Sequence, residues 1–188
     1  MAESNTACGN LRERVSVLKL EETETGYIWQ AARRVWANVQ PDRGVNLFSK
    51  AGTGALGVEI VLRRQQLQKG AMLLWRGQYV YVSDVQPMDL GHLLVSGALV
   101  RLSQCVANVH KAQQGLTFPA VLTEKYVAHE QIDPYAVNIL TYVLVTPPEV
   151  KLQRGGLVQV DGTAYEVRLA HELDPSKIEY EIVRKADL

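Results

Sequence analysis

Residues 67–82 read LQKGAMLLWRGQYVYV, and residues 152–167 read LQRGGLVQVDGTAYEV. The two segments align without a gap at an offset of 85 residues (152 − 67). In each segment a short apolar run ends at a turn, which contains Gly77 or Gly162, and a second apolar run follows. Glycine suits a two-residue hairpin turn because it adopts positive φ without steric cost. Each segment therefore predicts a β-hairpin, and the pair indicates either an internal duplication or two independent β-meanders of similar style.

Most other apolar residues recur with period two, the spacing of a half-buried strand. Val15 and Val17 flank a serine, and residues 178–182 alternate Ile, Tyr and Ile with glutamates. Residues 28–35 and 56–67 are the best helix candidates, and each also fits a strand. The sequence therefore predicts a mostly β protein with two tandem small barrels or sandwiches.

Changes in composition predict the domain boundaries. Residues 1–11 are small and polar, which is typical of a flexible N-terminal arm. A first β-domain is expected over 12–108, a polar linker over 109–115 and a second β-domain over 116–188. The core positions predicted from the alternation and from the two hairpins are Val15, Val17, Trp36, Trp75, Gly77, Tyr79, Gly162 and Tyr165.

The charges balance, with 20 Lys and Arg against 20 Asp and Glu. Such a balance argues against a protein whose main function is to bind the phosphates of a nucleic acid, although DNA could still pass through a channel. The pairs Arg33-Arg34 and Arg63-Arg64 are either basic contacts or charges that protect a strand edge. Only two cysteines are present and no signal peptide is evident, so we expect reduced thiols in a protein made in the cytoplasm.

Two motifs suggest ligand chemistry, and both are incomplete. Residues 52–57 spell G-x-G-x-x-G, but no acid lies about twenty residues further on to hold a ribose. His129-Glu130 and His171-Glu172 lack the additional spaced His or Cys ligands that make a metal site specific. We therefore predict no catalytic residue, no cofactor and no metal.

Two further segments carry a resemblance to a known family. Residues 35–41 read VWANVQP, which is similar to a recurring V-W-A-x-V-x-P, and residues 75–82 read WRGQYVYV, a hairpin in which an aromatic residue and a glycine precede alternating Tyr and Val. With the strand at residues 14–18 before them, they resemble the head–tail joining proteins of tailed phages, also called head-closure, stopper or neck proteins. The resemblance covers about half the chain. It implies a small β-barrel that assembles into a ring, of six copies in the family, between the portal or adaptor and the tail proteins. DNA would pass through this ring without sequence-specific binding.

The resemblance also maps a channel or partner loop onto residues 46–56. The candidate residues of this loop are Lys50, Gly52, Thr53, Gly54 and Gly57. The second domain departs from the family's usual single domain, which leaves a tail terminator or baseplate component as alternatives. A carbohydrate- or peptide-binding module would instead need Trp29 or Tyr126 in a groove, and a small enzyme would use the glycine loop or the His-Glu pairs. The expectation is a virion protein, with no membrane association.

Overall fold

A computed structural model describes residues 11–42, 56–88, 90–107, 115–124 and 141–185. These residues form twelve β-strands and contain no α-helix. The strands are β1 (Glu13–Thr23), β2 (Gly26–Asp42), β3 (Gly57–Arg63), β4 (Met72–Trp75), β5 (Gln78–Pro87), β6 (His92–Val100), β7 (Ser103–Ala107), β8 (Leu116–Glu124), β9 (Thr141–Thr146), β10 (Leu157–Val160), β11 (Thr163–His171) and β12 (Ile178–Arg184).

The prediction of a mostly β protein is confirmed. Both segments that also fitted a helix are strands, since residues 28–35 lie within β2 and residues 57–63 form β3. In β3, buried Val58, Ile60 and Leu62 alternate with more exposed residues, a period that a helix cannot provide.

Six strands of the second half close into an antiparallel barrel. The pairings run β7-β10-β11-β12-β9-β8, and β8 pairs again with β7. The first six strands follow the corresponding order, β1-β4-β5-β6-β3-β2, and β2 pairs with β1. Adding six to each strand number of the first circuit therefore gives the second circuit.

The residue register of the two circuits also corresponds. Leu73 pairs with Val80, and Val158 pairs with Tyr165, 85 residues later in both strands. The sequence offset between the two hairpins is therefore preserved in their strand pairing.

Turns and irregularities recur at the same offset. Each hairpin turn begins with a non-glycine residue at φ 48°, Arg76 in one copy and Asp161 in the other. Each long return strand contains one register shift, at Ser83 in β5 and at Arg168 in β11. Strand β6, which pairs with β5, is itself continuous through Gly97.

Each circuit encloses its own hydrophobic core. Val15, Val17 and Trp75 are buried in the first core, and Tyr165 is buried in the second. Trp36 was predicted in the core but is 49% exposed. The inward positions of β2 belong to Val35, Ala37 and Val39, which pack against the first core, so the intervening tryptophan points outward. Tyr79 is half-buried, while Gly77 and Gly162 are exposed at the hairpin turns.

The chain divides into two compact units whose limits differ from the predicted domains. The described part of the first unit comprises residues 11–19, 29–42, 56–88 and 90–100. The described part of the second unit comprises residues 20–28, 101–107, 115–124 and 141–185. Strand β7 was assigned to the first domain by the sequence, but it pairs with β8 and β10 in the second unit. Residues 108–114, which contain most of the predicted linker, lie outside the described residues, as do residues 1–10.

The turn between β1 and β2 belongs to the second unit and packs closely on β8. Gly26 pairs with Thr117, and a Cβ at Gly26 would lie 1.8 Å from the carbonyl oxygen of Thr117. The Thr117 amide donates to the carbonyl oxygen of Thr25 at 2.8 Å, and Thr23 Oγ1 donates to the Gly26 carbonyl at 3.1 Å. Glycine is therefore required at position 26, and these contacts hold the turn in one conformation.

A substitution at Gly97 tests the close contact between β5 and β6. A Cβ at this position would lie 2.6 Å from the Tyr81 carbonyl oxygen and 2.8 Å from Val80 Cγ1. We expect Gly97→Ala to reduce the free energy of unfolding by about 1–3 kcal/mol, measured by urea denaturation, because the strands must separate. Ser96→Ala, one residue earlier in the same strand, is the control. An unchanged midpoint for Gly97→Ala would contradict this view of the contact.

Candidate functional site

The described residues of the glycine motif do not form a nucleotide site. Gly57 is buried at the start of strand β3, so a strand follows the motif where a dinucleotide fold requires a helix. Lys50, Gly52, Thr53 and Gly54 lie outside the described residues. The predicted channel loop therefore stays a prediction.

Both residues of the described His-Glu pair already have side-chain partners within the second unit. His171 Nε2 lies 3.0 Å from Glu181 Oε1, and Lys151 Nζ lies 3.2 Å from Glu172 Oε2. No group of three or more His, Cys, Asp or Glu residues suited to a metal occurs in the part of the chain that the structure describes. The other pair, at residues 129–130, lies outside that part.

A cluster of arginines on the first unit is the best candidate for a binding site. In β1 the inward positions hold Val15 and Val17, so Arg14 points to solvent, and Arg12, which directly precedes the strand, is also exposed. In β2 the same alternation exposes Arg34 and Trp36. Strand β3 ends at Arg63, and Arg64 follows directly, with both side chains exposed.

These residues line a groove of about 810 Å³, called here the arginine groove. Its lining residues are Leu11, Arg12, Arg34, Val35, Trp36, Arg63, Arg64 and Gln65. A smaller groove of about 430 Å³ shares Arg34 and adds Arg14 and Arg76. Arginine is therefore the predominant charged residue of this surface.

Contacts with neighbouring side chains hold the edges of the arginine groove. The guanidinium carbon of Arg14 lies 4.1 Å from the centre of the Trp36 ring, a cation–π contact that orients both side chains. Arg33 donates from Nε to Gln65 Oε1 at 2.7 Å and from Nη2 to the Gln66 carbonyl at 2.6 Å. These bonds connect β2 to the segment that follows β3.

Beside the smaller groove, Glu13 neutralises one arginine. Its carboxylate accepts hydrogen bonds from Arg76 and from the Trp75 indole, and the Arg76 and Trp75 bonds hold the pKa of Glu13 below its usual value. In contrast, the guanidinium groups of Arg12, Arg34, Arg63 and Arg64 form no ion pair among the described residues. Within the part of the chain that the structure describes, the arginine groove therefore presents uncompensated positive charge.

Such a surface is suited to an anionic group. A guanidinium binds a carboxylate or a phosphate through two parallel hydrogen bonds, and the exposed Trp36 ring adds apolar area. The described residues of the first unit carry nine Lys and Arg against four Asp and Glu, a net charge of +5. Those of the second unit carry seven against eleven, a net charge of −4. The balanced total thus conceals two oppositely charged units.

The sequence identified only part of this surface. Arg33-Arg34 and Arg63-Arg64 were candidate basic contacts, but Arg12 and Arg14 were not connected with them, and Trp36 was placed in the core. These residues meet because β2 pairs with β1 on one side and with β3 on the other. The signal that could have found Trp36 is its place between the inward-facing Val35 and Ala37.

Cys105 has the properties of an inert core residue. Its side chain is buried in the second core, and its Sγ donates a weak hydrogen bond to the Ser103 carbonyl at 3.8 Å. Burial, with a smaller contribution from the charge of Asp161, raises the pKa of the thiol to about 12. A thiol with this pKa is protonated at neutral pH and is a poor nucleophile.

Comparisons of the chain with protein-family models, with curated protein sequences and with solved structures found no match. Within the described residues, no helix is long and apolar enough to cross a membrane. Functional conclusions therefore depend on the geometry described above.

Thiol labelling of a Cys8→Ser variant tests the burial of Cys105. We expect negligible modification of the folded protein at mildly alkaline pH and complete modification in denaturant. Because the folded-state pKa of about 12 lies above the ordinary value of 9.0, burial stabilises the fold fully below pH 9, and this contribution is lost as pH rises toward 12. Rapid labelling of the folded protein, measured by mass spectrometry, would show that the second core is open.

Proposed function

We propose that this chain is a non-catalytic structural subunit of a ring at the portal–tail junction of a tailed phage. The observation that supports this most strongly is that one chain contains two β-units with corresponding strand order and opposite net charge. A ring subunit needs two different complementary surfaces, because its contacts are heterologous and close by rotation. A net charge of +5 on one unit and −4 on the other supplies such complementarity.

The segments that carry the phage resemblance are consistent with this proposal. Residues 35–41 lie within β2, and residues 75–82 span the end of β4, the hairpin turn and the first half of β5, so both belong to one closed six-strand circuit. A small closed β-domain has no free sheet edge, so it does not add strands from other chains indiscriminately. This property suits a subunit that must associate through specific surfaces. Partners would be further copies of this chain, a portal or adaptor protein and tail proteins. The expected location is the virion neck.

We further propose that the two units arose by duplication of a single six-strand domain. The corresponding strand order, the preserved pairing of the hairpins and the matching bulges at Ser83 and Arg168 all support common descent. Independent β-meanders would share hairpin turns, since these are common, but rarely the position of a bulge.

The other positions in a virion, tail terminator or baseplate component, share these physical requirements and remain alternatives within the same class. The carbohydrate-binding alternative has less support. Trp29 is half-buried within β2, and Tyr126 lies outside the described residues. The exposed tryptophan is Trp36, and its neighbours are arginines, which favour an anion over a neutral sugar.

Light scattering across a concentration series tests the ring. We expect a discrete oligomer whose mass is a multiple of the 20.9 kDa chain, either alone or after a portal complex is added. A ring has a fixed copy number because its heterologous contacts close.

A different outcome would contradict the structural role. The chain would then stay monomeric at every concentration, would not bind the portal complex, and would gain thermal stability from a sugar, a nucleotide or zinc. Such a protein would be a binding module or an enzyme. Ligand binding to the folded state raises its melting temperature by mass action, so the two outcomes are distinguishable.

A further inference from the structure

We infer that the arginine groove of one copy binds the turn between β1 and β2 of a neighbouring copy. Glu21 and Glu22 lie at the end of β1 and Glu24 lies in the turn itself, and residues 21–25 together are called here the acidic turn. The inference rests on the proposed ring, and it names the surfaces through which the copies meet. The groove belongs to the first unit and the acidic turn to the second, so the contact is heterologous.

The groove requires a partner with several carboxylates or phosphates. Its four arginines (Arg12, Arg34, Arg63 and Arg64) repel one another, and no described carboxylate pairs with their guanidinium groups. An anionic partner would relieve this repulsion and accept bidentate hydrogen bonds.

The acidic turn matches this requirement. Glu21, Glu22 and Glu24 are all exposed, and none of them forms an ion pair with a described residue. The turn is also held in one conformation, because Gly26 contacts Thr117 and Thr23 bonds back to the Gly26 carbonyl. A preordered ligand binds with a smaller loss of conformational entropy than a flexible one.

The charge distribution favours another copy of the chain over a nucleic acid. The whole chain has a net charge of zero. Copies that meet through oppositely charged surfaces therefore attract one another, and the assembly accumulates no net charge. Nucleic-acid binding depends on net neutralisation of phosphates, and the second unit, at −4, would repel the duplex. Nucleic acid is therefore an outcome of the test and not the partner we infer.

Charge reversal on each surface tests the contact. The groove variant carries Arg34→Glu, Arg63→Glu and Arg64→Glu, and the turn variant carries Glu21→Lys, Glu22→Lys and Glu24→Lys. We expect each variant alone to associate at least about tenfold more weakly than the wild type, because like charges then face each other. An equimolar mixture should recover the wild-type oligomer, since the acidic groove accepts the basic turn and the two native surfaces pair with each other.

A matched control reverses three exposed charges elsewhere. Arg101→Glu, Arg154→Glu and Lys185→Glu give the same change in net charge as the groove variant, and all three positions are exposed in the second unit. This control should assemble like the wild type. Circular dichroism establishes that each variant is folded, and a chain carrying both sets of reversals, which should assemble alone, provides a second test if one variant is poorly folded.

The outcomes separate this inference from the proposed function. If the wild type forms a ring and the groove variant forms the same ring equally well, the inferred contact is refuted and the proposed ring is retained. If the wild type is monomeric with and without portal complex, both are wrong. If wild-type protein binds duplex DNA in a salt-dependent manner, the groove variant does not, and oligomer mass is unaffected, the groove is a phosphate site and the inferred contact is overturned.

Discussion

Strand β7 pairs with β8 on one side and with β10 on the other, and this double pairing closes the six-strand barrel. Strand β1 has the corresponding place in the first circuit, between β2 and β4. Closure removes the open sheet edge, which would otherwise offer unpaired amides and carbonyls to any neighbouring chain. It also gives the strands a face toward an enclosed core, and in β1 and β2 the opposite face carries the exposed Arg14, Arg34 and Trp36. In β9 and β12, by contrast, most side chains on both faces are buried.

The outer face of the first unit shows the consequence. Side chains alternate along each strand, so the inward positions of β1 and β2 fix which of their residues face solvent. The outward residues include Arg14, Arg34 and Trp36, and the Arg14 guanidinium lies over the Trp36 ring. Because β1, β2 and β3 are neighbours in the circuit, arginines that are up to 52 residues apart in the chain line one groove. The second unit keeps the strand order but carries a net negative charge, so one architecture provides two opposite surfaces.

The hairpins could be predicted from the sequence because their determinants are local. Gly77 and Gly162 adopt φ of 78° and 85°, as the glycine turns required. The boundary between the units could not be predicted in the same way. Strand β7 is short, and its assignment depends on pairing with β8 and β10, both of which lie further along the chain. Trp36 was misplaced for a related reason, since an aromatic residue on an alternating strand fits either face until the core is known.

The sequence by itself determined that the protein is mostly β, where its two hairpins turn, and that one hairpin pattern returns after 85 residues. These features depend on period-two alternation and on glycine at positive φ, which act over a few residues. Only the tertiary structure decided that the strands close in two circuits of corresponding order, and that Arg12, Arg34, Arg63 and Trp36 share one groove. Those features depend on pairing between distant strands, whose register is set by the whole core and not by any single segment.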